Sequence, residues 1–235
     1  MITTPQIFII FEPGLYGTFL ATIFARHRLC KNYFALESEF ESDKNGFNSH
    51  GAGYKPLLKR FHSQQDYEWM KSQNSVELET HLCKLEKYKL GIHTQASYYY
   101  LNFDYNKYFT NFVKILLKPK ENRLENYAKR FRETHPVDNK DEYWTRYVKN
   151  LTKLPFWFRE KMTLQEKTKY LKDRFTLIKD YPSTNNDIVF DPDDIKNHTL
   201  LQNLIDRTCR LLQIQKISLP TNSLKNFLEK NQKFL

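Results

Sequence analysis

Gly14, Gly17 and Thr18 follow directly on the apolar run Ile7-Phe8-Ile9-Ile10-Phe11, and residues of these types in this order suit the binding of an anion. A helix N-terminus exposes backbone N–H groups that find no partner inside the helix and carries about half a positive charge, so a glycine-lined turn leading into it can wrap a phosphate closely. Glycine tolerates positive φ and keeps side chains off the ligand, while the Thr18 hydroxyl adds a donor at the helix start. The segment FEPGLYGTF departs from the GxxxxGK[ST] pattern in having too few residues between its glycines and in lacking the lysine. That argues against an ordinary ATPase or GTPase. The same glycines also suit a plain strand-to-helix turn in which only chain geometry matters, so two readings stand side by side.

A second cluster of chemistry-bearing residues is the acidic run Asp191, Asp193 and Asp194. Its oxygens suit magnesium or calcium, but the spacing is not that of an EF-hand. An N-terminal cap and dipole partner for the helix that follows is the simpler reading, and no metal is expected. Of the seven histidines, His27, His62, His81, His135 and His198 have no motif context and are read as structural.

The elements that must position these residues alternate between strand and helix. Ile7 to Phe11 is continuously apolar, as a strand buried on both faces of a parallel sheet would be. Thr18, Phe19, Leu20, Ile23 and Phe24 open a helix after the turn. Lys89 to His93 reads as a short second strand ending on the histidine. Asn111 to Leu117 reads as a third, stopped by Lys118-Pro119 and followed by a helix over Arg123 to Phe131. Phe175 to Ile178 fits either a strand or a helix end, Asp187 to Phe190 a short strand. Leu200, Leu201, Leu204, Ile205, Leu211 and Leu212 trace one helical face that ends near Gln213, with a peripheral tail from Ser218. The pattern predicts an α/β fold in three layers around a mostly parallel sheet, with ligands at the strand C-terminal ends. Residues 141–175, basic and aromatic and broken at Pro155, read as a helical elaboration of a single domain spanning 1–235. Residues 31–49 read as a polar stretch, followed by a mixed helical segment that ends near Lys87.

Composition sets the outer bounds. No run approaches the roughly 20 apolar residues of a spanning helix, and Met1 to Gln6 lacks the regions of a signal peptide. Cys30, Cys83 and Cys209 are scattered without Cys-x-x-Cys spacing, which suits reduced thiols and a cytoplasmic location. A formal charge of +10 favours anionic partners without choosing among nucleotide, nucleic acid, sulfated glycan and membrane surface. The lysines and aromatic rings from Tyr143 to Arg174 fit single-stranded nucleic acid, and equally amphipathic helices with a solvated face.

Pro13, Gly14, Gly17 and Thr18 after a buried strand resemble the 5′-phosphosulfate loop of the sulfotransferases, a P-loop family whose usual run is Pro-x-x-Gly-Thr-Thr. Thr18 matches one threonine, Phe19 replaces the second, Tyr16 stands where a serine or threonine often precedes the glycine, and the loop's usual basic residue is missing. Val113 to Tyr127 is similar to the family's 3′-phosphate segment, with Lys118 in place of the arginine, Arg123 on the first helical turn and Asn126 near the serine. Asp187 to Ile214 is similar to its closing strand, acidic turn and amphipathic helix. The resemblance implies a P-loop-type fold and a co-substrate, 3′-phosphoadenosine 5′-phosphosulfate (PAPS), held by Gly14, Leu15, Tyr16, Gly17, Thr18, Phe19, Lys118, Arg123 and Asn126. It implies sulfuryl transfer to a hydroxyl or amine of an unidentified glycan or small molecule, with His93 as general base and His50 as its alternative. Without the loop lysine, a nucleotide-binding relative weakened in catalysis, acting as an interaction module, is the other reading the resemblance allows. A basic nucleic-acid-binding protein is the third.

Overall fold

A computed structural model of the chain describes residues 1–12, 15–25, 27, 29, 89–95, 104–127, 164–184, 187–219 and 229. Four strands form one parallel sheet in the order β2-β1-β3-β4, where β1 is Gln6–Ile10, β2 Gly91–Gln95, β3 Phe112–Leu117 and β4 Asp187–Phe190. The expected α/β class is present as this sheet with its accompanying helices. The strand at Gly91 runs two residues past His93, so the histidine lies inside it and not at its end.

β1 sits between two neighbours, and its five residues are all buried, in keeping with their unbroken apolar character from Ile7 onward. Helix α1, Gly17–Ala25, packs against β1 and β2. It is followed by His27, whose ring bonds the Gln215 carbonyl at 2.9 Å and accepts the Leu29 amide at 3.1 Å, a structural histidine as expected. A short helix α2, Tyr105–Tyr108, precedes β3, with Asp104 accepting the Lys107 amide at its start. After β3 comes a 3₁₀ turn, Glu121–Arg123, that continues into helical residues 124–127. Helix α3, Leu164–Asp180, takes in Phe175 to Ile178 and settles that segment as helix. Residues 141–163 of the expected elaboration, residues 31–88 and His50 lie outside the described residues, as do Pro13 and Gly14.

The acidic run after β4 forms a second 3₁₀ turn, Pro192–Lys196, leading to α4, His198–Leu211. Asp191 caps the 3₁₀ turn through the Asp193 amide at 2.9 Å, while Asn197 caps α4 through the Leu200 amide at 3.1 Å. The cap reading therefore applies to Asp191, one turn earlier than the long helix. Leu201, Leu204, Ile205 and Leu212 line the core, whereas Leu200 and Leu211 face outward, because a 14-residue helix packed on one side buries only part of its apolar set. The chain beyond is less peripheral than expected, since Ile217 and Leu219 are buried and Gln202 clamps both the Ile217 carbonyl and the Leu219 amide.

The two faces of the sheet differ. Ile7, Ile9, Ile92, Val113, Ile115, Ile188 and Phe190 share one of them, and all are buried. On the other face one register row runs His93, Phe8, Lys114, Asp187 across all four strands. Phe8 stacks on His93 at 4.7 Å between ring centres and meets Tyr105 and Phe109 at 4.6 and 5.0 Å. Lys114 bonds Asp187 at 2.8 Å and lies over the Tyr105 ring. Among the described residues no helix is long and apolar enough to cross a membrane.

Candidate functional site

The order of the strands decides where a ligand can sit. The chain leaves β1 toward β2, returns past β1 to β3, and continues outward to β4. The direction of strand succession reverses between β1 and β3, and in open parallel sheets ligands favour the carboxyl ends of the strands at such a point. The β1 turn and the Lys118-Pro119 segment flank it.

In the β1 turn the Leu15 amide donates to the Glu12 carbonyl at 3.2 Å, and Tyr16 adopts φ 63°, a left-handed conformation that a tyrosine rarely takes. The Tyr16 carbonyl accepts the Leu20 amide at 3.1 Å, so Tyr16 caps α1, and the amides of Gly17, Thr18 and Phe19 have no carbonyl of that helix to bond. No acidic residue lies in the first turn of α1. Leu15, Tyr16 and Phe19 are buried, and the Leu15 amide is already committed to Glu12. At Gly17 a Cβ would lie 2.0 Å from the Phe11 ring, so this glycine is required by packing whether or not an anion binds. Glu12, buried at the head of the turn, was not marked out by any sequence pattern.

The segments after β3 and β4 are locked together by charge. Lys118 extends the sheet through its amide to the Phe190 carbonyl at 3.0 Å, and its ammonium donates to the Tyr181 carbonyl. Burial lowers the pKa of Lys118 against the opposing pull of Asp187 and Asp180. Lys120 pairs with Asp191 at 2.9 Å. Arg123 grips Asp193 with two nitrogens, Nε to Oδ2 at 2.7 Å and Nη2 to Oδ1 at 3.3 Å. The Tyr127 hydroxyl donates to the same Oδ1 at 2.8 Å. Burial, first, and this bond, second, push the Tyr127 pKa far up, and Tyr16 lies near enough to add to the effect. The bond to Asp193 likewise raises the pKa of Arg123.

The structure thus brings Tyr16, Lys118 and Arg123 to one edge of the sheet, together with Tyr127, Asp191 and Asp193, which were not expected there as partners of the cations. Asn126 is exposed on the neighbouring helical turn. No side-chain position is described for Thr18. The signal that could have found the carboxylates was the pairing of two post-strand segments, one basic and one acidic, at equivalent places in successive units.

His93 does not join this group. Its Nε2 bonds Gln6 Oε1 at 2.8 Å, toward the amino end of β1, and Gln6 Nε2 is committed to the Thr4 carbonyl and hydroxyl at 3.1 and 2.9 Å. With both amide hydrogens of Gln6 directed at Thr4, its Oε1 accepts and His93 Nε2 carries the proton. Nδ1 is buried without a hydrogen-bond partner among the described residues. Burial alone lowers the His93 pKa from 6.5 to about 3. Among the described residues His93 is thus enclosed and held to Gln6, apart from the residues at the carboxyl edge of the sheet. Gly91 belongs to the same arrangement, since a Cβ there would lie 1.8 Å from Gln6 Oε1 and 2.8 Å from His93 Nε2.

No family model, characterised protein or solved structure matches the chain.

Proposed function

We propose that this chain is a sulfotransferase-like P-loop protein that binds a nucleotide of the PAPS type at the carboxyl edge of β1 and β3, and that it is weakened as a catalyst. The observation that carries the reading is the strand order, which sets the open N-terminus of α1 beside the basic segment that follows β3. The amides of Gly17, Thr18 and Phe19 would hold the 5′ anion, and Lys118 and Arg123 would face the 3′-phosphate, with Asn126 at the rim. Such a donor supplies a sulfuryl group for transfer to a hydroxyl or amine. Two things argue for binding over turnover: the loop has no lysine for the equatorial oxygens, and His93 is enclosed.

The test is the melting temperature of the full chain with 3′-phosphoadenosine 5′-phosphate (PAP). At a hundredfold excess over Kd the expected gain is about 2.7 kcal/mol, or roughly 5–10 °C for a chain of this size. Adenosine should give no comparable rise. A melting temperature that does not move at millimolar PAP would reject the reading.

A further inference from the structure

We propose that Asp193 is an internal stand-in for the ligand's phosphate, occupying Arg123 until a phosphomonoester displaces it. This deepens the nucleotide reading above and rests on it. The carboxylate meets the guanidinium at two nitrogens, Nη2 in a hydrogen bond at 3.3 Å and Nε in an ion-pair contact at 2.7 Å without hydrogen-bond alignment, and a phosphate oxygen could take the same place on the guanidinium. Asp193 comes from the turn after β4 and Arg123 from the turn after β3, so the contact is not fixed by local sequence.

The pair is also accessible to exchange. The side chains of Arg123 and Asp193 keep 28% and 16% of their exposure, so an anion can reach the guanidinium without the sheet opening. A second carboxylate of the same turn, Asp191, holds Lys120 at 2.9 Å, and the two pairs together cancel the positive charge that follows β3. A released Asp193 would retain its place beside the Tyr127 hydroxyl, which donates to it at 2.8 Å. Displacement therefore exchanges one charged partner of Arg123 for another and leaves the carboxylate hydrogen-bonded. The consequence is selectivity: a ligand carrying a phosphomonoester at that position overcomes the internal competitor, and one lacking it does not.

The experiment is calorimetric titration of the full-length wild type and of Asp193→Asn with PAP and, separately, with adenosine 5′-monophosphate, which lacks the 3′-phosphate. Asparagine keeps an acceptor for Tyr127 and removes the charge that competes for Arg123. The expected result is about tenfold tighter PAP binding in the variant, with binding of the monophosphate unchanged. PAP binding by the wild type that is equal or tighter than in the variant would overturn the inference and leave the nucleotide reading in place. An equal gain for both nucleotides would overturn it as well, since that is the mark of a general change in charge. Failure of the wild type to bind PAP at all removes both. If Asp193→Asn does not fold, a crystal structure of the wild type with PAP decides: the 3′-phosphate should sit on Arg123 with Asp193 released from it and still accepting from Tyr127, and an intact Arg123–Asp193 pair with PAP bound overturns the proposal.

Discussion

Asp187→Ala is expected to lower the melting temperature by about 6–20 °C, the consequence of roughly 3–5 kcal/mol lost when a buried charge is left without its partner. Asp187 is wholly enclosed, and Lys114 retains 10% of its side-chain exposure. The carboxylate forms an ion pair with the Lys114 ammonium at 2.8 Å and accepts the Thr184 amide at 2.7 Å. Removing it strands a lysine between β-strands and an amide at the entrance to β4. The Lys114→Met, Asp187→Asn double variant should recover part of the loss, because neither charge then remains, and with the Lys114→Met and Asp187→Asn single variants it closes the cycle that measures the coupling of the pair. Chemical denaturation of these variants reads this directly. A single-variant loss below about 1 kcal/mol would show that water reaches the pair, as it does in an exposed ion pair.

The second large effect is a dependence on pH carried by His93. The folded chain binds a proton there only near pH 3, whereas an unfolded histidine binds one near 6.5. Between these values the unfolded state holds more protons, so folding stability is complete above 6.5 and falls as the pH drops toward 3. The slope is about 1.4 kcal/mol per pH unit, and the total on the order of 5 kcal/mol. His93→Gln keeps a donor for Gln6 Oε1 and has nothing to titrate. Its denaturation midpoints should be flatter with pH than those of the wild type across this window. Parallel profiles for the two proteins would show that the ring is reached by solvent.

Both effects arise from one row of side chains, and that row shows where the sequence was legible. The strand at Ile7 to Phe11 was readable because a strand buried on both faces is continuously apolar, and those at Asn111 to Leu117 and Asp187 to Phe190 because their apolar runs are short and bounded by turn signals. The helix opening at Gly17 was marked by its turn residues. Lys114 and Asp187 interrupt two of these strands, and their pairing depends on register between segments some seventy residues apart, which local periodicity does not carry. His93 looked like a strand-end residue facing a ligand; the strand in fact continues to Gln95, which turns its ring into the row with Phe8. The acidic run was read as a cap for the following helix, a role that Asn197 takes while Asp191 caps the 3₁₀ turn before it, and the grip of Asp193 on Arg123, a contact between two units of the fold, was not visible.

The candidate site was legible to a similar degree. Gly17 was recognised from type and position, yet the structure attaches a packing reason to it, the Phe11 ring that fills its Cβ position. Lys118 and Arg123 were singled out through the resemblance, in the segment after the third strand, and the structure has them after β3. Their engagement with Tyr181 and Asp193 was not visible, because partners drawn from distant segments leave no spacing to read. Tyr16 was noted only as a departure from a small hydroxyl residue. Its left-handed backbone and its proximity to Tyr127 make it the residue that joins the β1 turn to the segments after β3 and β4.

The central claim, a nucleotide held between the β1 turn and the post-β3 segment, is tested most directly by a crystal structure of the full chain with PAP. The account predicts the 5′-phosphate within hydrogen-bond distance, about 2.7–3.2 Å, of the backbone nitrogens of Gly17 and Thr18, and the 3′-phosphate on Arg123. Nucleotide bound elsewhere on the chain, with those amides facing no phosphate, would contradict it.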